Sequence, residues 1–558
     1  MPSLFPKYQS GFLNKIWFFG SNEELMKAGK LLGLKPLEKL TIPLDQVYIS
    51  NLLSIFPNTI MDSRVSEWYN NCLEKDAKVL EVLNSEGQNI TVGNFTLHPF
   101  QEICKRFIET AGRVLIADDR GTGKTVEAVT TLVANPNFDS ALIIVRAYLF
   151  QQWIDTFKKA DPEGKIKLFP LTGKKDRVLR TIEEYKNADK NIPKVILCSY
   201  TALTKPNYNY VFIPKYQWLI FDEAHCLCNH KNMTAKLAWQ LTDHAKNVIL
   251  LTGSDIQGKY VGSYWSLLKC LDPIRFSNST TFTDRYVESY LDVHGKVPVT
   301  SKHMDELAEV LSTLRLRRTI NEVGFQLPEQ IITKVYVDLE PAHRAIYEGM
   351  IGEELNKENH DINKGIALFS YLQRLVSFPL SLGFESYDPK LTPLYGFVED
   401  IVAEGGKVLI FGIHKEFLRH IHWFLEKSKL KIPSGELANF VHFDGETNQF
   451  MRNEFIDRFR NEDTCVGLVA TMKTGGEGLD FPECDNIITV EGHWNPEVMN
   501  QVYGRILRLT STRNKRVYNI IAKNTIDEYI DFVASDKENF ISEANQIFRV
   551  YQMMKGGK

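Results

Sequence analysis

From about Thr96 onward, short apolar runs alternate with longer amphipathic stretches. The runs include Val114-Leu115-Ile116, Ala141 to Val145, Val195 to Cys198, Trp218 to Phe221 and Val248 to Leu251. Strands buried on both faces read as continuous apolar runs, and amphipathic helices between them make the sheet parallel. The pattern lapses between about Tyr260 and Asp400, which reads as mainly helical, and resumes at Val408 to Phe411, Val466 to Ala470, Ile487 to Val490 and Val517 to Ile521. It predicts an α/β chain with two parallel-sheet lobes and helical material between them. The region before Thr96 has a different character. It is rich in aromatics and leucine, as in Ile16-Trp17-Phe18-Phe19, and has helix-like stretches at Asn22 to Leu32 and Ser63 to Leu83. It reads as a small folded domain with Phe18 and Phe19 in its core. The polar stretch Asn84 to Asn94, with its glycines, reads as a linker. The expected organisation is an accessory domain over 1–90, a first lobe over 91–335 with a helical insertion at about 260–320, a second lobe over 336–535, and a helical tail over 536–558.

Composition narrows the function classes. The 558 residues are 44% hydrophobic and 24% charged, as in an ordinary globular protein. The 66 basic and 69 acidic residues leave a net charge of −3, which argues against coating nucleic acid by bulk charge but allows a local basic groove. Of the eight cysteines, only Cys226 and Cys228 lie close together, and no pair of CxxC motifs with zinc spacing occurs. These two cysteines read as buried structural residues. The cysteine usage suits a reduced, intracellular compartment, cytoplasmic for a bacterial protein or a viral one in a bacterial host. Neither a signal peptide nor an uncharged apolar run of the ~18–20 residues that span a bilayer is evident.

Three elements carry chemistry. The apolar run Val114-Leu115-Ile116 leads into Ala117-Asp118-Asp119-Arg120-Gly121-Thr122-Gly123-Lys124-Thr125 and then a helical stretch. Strand, glycine loop and helix form the context of a phosphate-binding loop, in which backbone amides and the helix N-terminus face an anion. Lys124 would reach the terminal phosphates and the Thr125 hydroxyl would hold Mg²⁺. The first glycine of the general pattern is replaced by Asp118. Next, the apolar run Trp218 to Phe221 ends in Asp222-Glu223-Ala224-His225. Asp222 can hold Mg²⁺, and Glu223 can orient and deprotonate an attacking water. Finally, Gln501 to Arg508 places Arg505 and Arg508 three apart, on one face of an expected helix, where guanidinium forks can neutralise phosphate charge.

In this order the motifs resemble those of superfamily-two helicases, and within them the Swi/Snf-type DNA translocases, with the fork-remodelling annealing helicases most alike. The resemblance runs from Leu97 to Ile530. It implies two RecA-like lobes, with ATP and Mg²⁺ as cofactors. Leu97-His98-Pro99-Phe100-Gln101 looks like the adenine-reading element, with Gln101 on the base. The loop that begins at Asp118 looks like the family's own form, which lacks the first glycine. Gly121, Thr122, Gly123, Lys124 and Thr125 would then cradle the nucleotide, with Gly478 and Asp480 of Thr474-Gly475-Gly476-Glu477-Gly478-Leu479-Asp480 contributing from the second lobe. Gln152-Trp153, Ser199-Tyr200 and Leu251-Thr252-Gly253-Ser254 resemble the following motifs in order. His225, Thr252, Gly253, Ser254 and Gln501 would couple hydrolysis to movement on nucleic acid. Ser199, Tyr200, Thr471 and Trp494 would lie on the nucleic-acid side, with strand-end capping or core packing as the alternative for each. Leu327-Pro328, Asp444-Gly445, Trp494-Asn495-Pro496 and Thr525-Ile526-Asp527-Glu528 also fall in family order. Arg317-Arg318-Thr319-Ile320, Gly504 and Thr510-Ser511 depart from the family's pattern.

The resemblance implies a DNA-stimulated ATPase that grips the phosphate backbone without reading sequence and remodels branched or forked DNA. A strand-separating helicase on DNA or RNA–DNA hybrids is the second reading. A nucleic-acid-binding module switched by ATP is a third, of another class.

Overall fold

Alternation of inward and outward residues builds the N-terminal sheet. In the computed structural model, which describes residues 2–535 apart from 10, 11, 33–38, 44, 45, 120, 147, 148, 173, 174, 190, 206–215, 244, 254–260, 293, 294, 325–328, 356–361, 386, 387, 476–480 and 507–512, strands Ser3–Gln9 and Phe12–Phe19 form an antiparallel hairpin. Leu40–Pro43 and Ile60–Met61 complete a four-stranded sheet. Leu4, Ile16, Phe18, Leu40 and Ile42 point into a core shared with Leu25, Ile49, Leu52, Val65 and Tyr69. Phe5, Trp17 and Phe19 face the other way. Phe18 is therefore core, as expected, but Phe19 is not, because neighbours on a strand take opposite faces.

The helix Ser63–Leu83 serves two cores. Its N-cap Asp62 accepts a hydrogen bond from Arg64 N at 3.0 Å. Val65 and Tyr69, near that end, close the N-terminal core. Val79, four turns in, is buried with Phe107, Ile108 and Val129 in the core of the large sheet that follows. The expected linker at 84–94 is instead pinned structure. Ile90–Val92 and Phe95–Leu97 pair as a hairpin, and Asn94 N donates to Lys159 O at 2.8 Å. Gly93, at φ +56°, brings the backbone so close that a Cβ would stand 2.1 Å from Ala160 O. Only glycine combines that dihedral with that approach.

Seven parallel strands form the first large sheet, in spatial order 315–316, 113–116, 247–251, 218–221, 140–145, 194–199 and 167–170. Six more form the second, in order 330–337, 515–522, 486–489, 408–412, 465–471 and 439–443. All nine apolar runs singled out above fall on these strands, with Val490 alone one residue past its strand. The chain divides into two compact units: Met1–Asp119 with Gly123–Thr319, and Arg120–Thr122 with Ile320–Lys558.

Several expected boundaries move. The first unit ends at Thr319, not 335, since Gln330–Val337 pairs along its whole length with Lys515–Ala522 of the second sheet. The accessory sheet belongs to the same unit as the first lobe. The stretch 260–320 is not wholly helical: it carries the hairpin Val287–Asp292 and Gly295–Ser301, and the strand Arg315–Leu316. Gln330–Val337 was missed because it lies at a sheet edge. Ile331, Ile332 and Tyr336 are each nearly half exposed, so no continuous apolar run marks it. The tail at 536–558 lies outside the described residues. No helix among those described is long and apolar enough to cross a membrane.

Val79 tests the shared helix. Truncating a buried aliphatic side chain costs transfer energy plus a cavity, so Val79→Ala should destabilise the protein by about 2 kcal/mol. Chemical denaturation of the full-length chain should show it.

Candidate nucleotide site

Three motifs leave one edge of the first sheet. Arg113–Ile116, Asn247–Leu251 and Trp218–Phe221 are consecutive parallel neighbours, with Leu251 beside Ile116 and Leu250 beside Phe221. Their carboxyl ends carry the glycine loop, Thr252-Gly253 and Asp222-Glu223. In parallel α/β sheets this edge is where ligands bind.

The loop turns on two glycines, Gly121 at φ +88° and Gly123 at φ +93°, before the helix Lys124–Ala134 begins. Gly123 is forced twice. Its dihedral disfavours a side chain, and a Cβ would meet Gln101 Nε2 at 2.5 Å. Gln101, almost fully buried, thus lies against the loop. Its Oε1 accepts from His98 N at 3.1 Å, which closes a capping box at the start of Pro99–Ala111. Lys124 Nζ donates to the carbonyls of Asp118 and Asp119 at 2.7 and 2.9 Å. Thr122 is buried, and Thr125 half-buried in the first turn of the helix. Asp118, which stands where the general pattern has glycine, is fully buried and accepts from Arg318 N at 2.8 Å and Arg318 Nε at 3.0 Å.

The acidic turn is held by its neighbours. Asp222 N donates to Ile144 O at 2.9 Å. Asp222 Oδ2 accepts from Trp153 Nε1 at 2.7 Å, and Oδ1 from Glu223 N at 2.9 Å. Burial first, and the Glu223 charge second, push the Asp222 carboxyl above the usual carboxylate range, against the pull of Trp153 and Lys124. Glu223 sits in the left-handed region at φ 52°, ψ 48°, a conformation that costs a non-glycine residue on the order of 1 kcal/mol. His225 Nδ1 lies 3.2 Å from Glu223 Oε2. Burial opposes charging of that imidazole, but hydrogen bonding with Cys226 and Glu223 outweighs it, and its pKa is pushed up to about 9. Trp153 belongs to the Gln152-Trp153 motif, but its bond to Asp222 has no local signal, since 69 residues separate them.

Thr252 is buried, its amide donating to Ile116 O at 3.0 Å, and Gly253 is half-buried. Ser254 lies outside the described residues. Ser199 Oγ pairs with Thr201 Oγ1 at 2.9 Å. Tyr200 corrects an expectation. Its ring is buried in the sheet's core and its hydroxyl donates to Asp222 O at 2.7 Å, so it braces the acidic turn and is not presented to nucleic acid.

In the second unit, Arg505 does not lie on a helix. The helix Pro496–Tyr503 ends before it, at Gly504, whose helix propensity is low, and Arg508 is outside the described residues. Arg505 is buried, its Nε donating to Gln501 O at 2.9 Å and its carbonyl accepting from Phe481 N at 2.8 Å. Gly478, Asp480 and Leu327-Pro328 also fall outside the described residues. Thr471 ends the strand Cys465–Thr471 and joins Thr474 Oγ1 at 2.9 Å. Both line a cavity of about 580 Å³ with His414, Lys415, Asp444 and His493. Trp494 packs, half-buried, against a core cluster that includes Leu372 and Ile530, its ring 5.0 Å from that of His493. Sequence reading missed Glu491 and His414. Fully buried Glu491 accepts from Ile413 N at 2.7 Å and His414 N at 2.9 Å, and meets His414 Nδ1 at 2.8 Å. The signal was present: Ile487 to Val490 is an apolar strand that ends in a carboxylate, as Trp218 to Phe221 does.

Residues 61–383 match the SNF2-related domain, and residues 390–510 match the helicase conserved C-terminal domain. The chain belongs to the SNF2-related family. Among similar proteins is an uncharacterized ATP-dependent helicase of Mycoplasma pneumoniae, 26% identical over 77% of this chain and 40% of its own length. Another is the Drosophila melanogaster SWI/SNF-related matrix-associated actin-dependent regulator of chromatin subfamily A-like protein 1, 26% identical over 80% of this chain and 56% of its own. A third is the human DNA annealing helicase and endonuclease ZRANB3, 22% identical over 77% of this chain and 39% of its own. The chain thus spans about half the length, or less, of these curated relatives. In this SNF2-related chain the family match begins two residues before the helix Ser63–Leu83, so the first three strands of the N-terminal sheet precede it.

His225 gives a pH test. Its folded pKa, about 9, exceeds the ordinary 6.5, so its charged form adds stability that is full below 6.5 and is lost as pH rises through 9. His225→Gln should therefore be less stable than the native chain at low pH, with the gap closing across that range in urea denaturation.

Proposed function

We propose that the chain is a DNA-stimulated ATPase that moves along duplex or branched DNA and remodels forks by branch migration, regression or annealing. The observation that carries this reading is the convergence of the phosphate loop, the Asp222-Glu223 turn and Thr252-Gly253 on one edge of a parallel sheet, in a member of the SNF2-related family. The human relative, named a DNA annealing helicase and endonuclease, supports the fork-remodelling part.

The residues fit Mg-ATP. Thr125 and Asp222 offer hard oxygen donors, which suit an ion that keeps several waters. Bound there, Mg²⁺ would neutralise charge on the phosphates. Lys124 would exchange the carbonyls of Asp118 and Asp119 for terminal phosphate oxygens. Gln101, set against Gly123, would face the adenine. Trp153 and the Glu223 amide would keep the Asp222 carboxylate oriented. Glu223 would accept a proton from the attacking water, and His225 would hold Glu223 ionised and in place. Arg505 and Arg508 would supply guanidinium groups to the phosphates, and Gly478 and Asp480 further contacts to the nucleotide. Thr252, Gly253, Ser254 and Gln501 would relay hydrolysis to the grip on DNA, with Ser199, Thr471 and Trp494 on the nucleic-acid side. Backbone contacts of that kind position without reading bases, so binding should weaken steeply with salt.

Steady-state ATP hydrolysis without nucleic acid, and with single-stranded, duplex or forked DNA, tests the proposal. Duplex and fork should stimulate, and Glu223→Gln should lower kcat by about 100-fold or more, the loss expected of a general base. Stimulation by single strands alone would replace the translocase with an unwinding helicase. Binding of DNA and ATP without turnover would leave an ATP-switched binding module.

A further inference from the structure

The start of the phosphate loop is zipped to the segment by which the chain leaves the first unit. Leu115 N donates to Leu314 O at 2.8 Å, Ala117 N to Leu316 O at 2.8 Å and Asp119 N to Arg318 O at 3.0 Å. The first bonds belong to the pairing of Arg315–Leu316 with Leu115 and Ile116, and the last carries that ladder past the strand into the loop. One residue after Arg318, at Thr319, the unit ends.

Arg318 fastens this junction from its side chain as well. Its Nε donates to Asp118 Oδ2 at 3.0 Å and a terminal nitrogen bonds the same oxygen. The other terminal nitrogen donates to Phe100 O at 2.6 Å, and the guanidinium lies over the Phe100 ring, 5.2 Å from its centroid. Glu127, on the helix that follows the loop, is buried with an oxygen 3.5 Å away. One side chain thus touches the residue before Gln101, the acid whose carbonyl holds Lys124, and the helix that begins with Lys124. Burial, and then the Asp118 charge, push the Glu127 carboxyl up, against the pull of the Arg318 guanidinium. A guanidinium serves here better than an ammonium, because its planar fork donates to a carboxylate and a carbonyl in fixed directions. Removing one partner of a buried pair strands the other charge.

We propose that Arg318 is a positioning residue of the nucleotide site, one that ties the conformation of the phosphate loop to the path of the segment 314–319, so that nucleotide binding and that segment's order are coupled. Arg318 touches no substrate in this scheme; it acts through Asp118, Asp119 and Phe100. The inference rests on the nucleotide reading above and adds to it a route by which occupancy of the loop reaches the exit of the unit.

Amide hydrogen exchange on the full chain, with and without Mg-ATP, reads this directly. Mg-ATP should slow exchange at Ala117 and Asp119 and, in parallel, across 314–319. Slowing confined to the loop would overturn the coupling while leaving the nucleotide reading intact. Slowing nowhere, with no ATP bound, would overturn both. Arg318→Gln should raise the KM for ATP roughly ten-fold, within the usual range of coupling between sites, with kcat changed far less. It should also abolish the ATP-dependent slowing at 314–319 while that at Lys124 and beyond persists. Arg318→Lys, which keeps the charge without the fork, should fall between. A folded Arg318→Gln chain with native KM and native slowing would overturn the proposal. Should that variant not fold, exchange on the native chain still decides.

Discussion

Parallel pairing of the central strands is the constraint on which the first unit's chemistry depends. A parallel sheet sends the carboxyl end of every strand to the same edge, so loops far apart in sequence start side by side. The register places the ends of 113–116, 247–251 and 218–221 within about one residue of one another. The crossovers that parallel pairing requires must cover both faces, and the side chains divide accordingly. Leu115, Leu219, Phe221, Val248 and Leu250 enter one core, while Val114, Ile116, Trp218, Ile220, Ile249 and Leu251 enter the other. The apolar runs are thus a direct consequence of a site built at a strand edge.

Charge at that edge is then disciplined by donors. Asp118, Asp222 and, in the second unit, Glu491 are all buried, and each is met by donors of fixed direction: Arg318, the Trp153 indole with the turn's own amide, and His414 with two backbone amides. A buried carboxylate without such partners would be far too costly to keep ionised. The same grammar recurs in both units: an apolar strand, then an acid held by groups from elements remote in sequence.

This explains what could be read in the sequence. Strands buried on both faces announced themselves, because burial leaves few polar residues in them. The phosphate loop and the Asp222-Glu223 turn were legible because glycine dihedrals and adjacent carboxylates leave local traces. The edge strand Gln330–Val337 was not, since its exposed face interrupts the run. The arginine helix was drawn too long because periodicity alone does not register the stop at Gly504. Tyr200 stands in a motif expected on the nucleic-acid side, but its partner Asp222 lies 22 residues ahead, and only the fold brings a hydroxyl to that carbonyl. Asp118 looked like a missing glycine, yet its meaning depends on Arg318, 200 residues away.

The helix Ser63–Leu83 bears on synthesis. Chains emerge from the ribosome N-terminus first, and domains fold as units in that order. The residues of the N-terminal core, Leu4 to Tyr69, are complete before Phe107 and Ile108 exist, so one end of the helix can be fixed early. Its other end carries Val79, Val82 and Leu83, whose partners in the lobe's first helix and strand come later in the chain. One helix thus joins a core whose residues end at Tyr69 to a core whose residues are nearly all still to be made at that point.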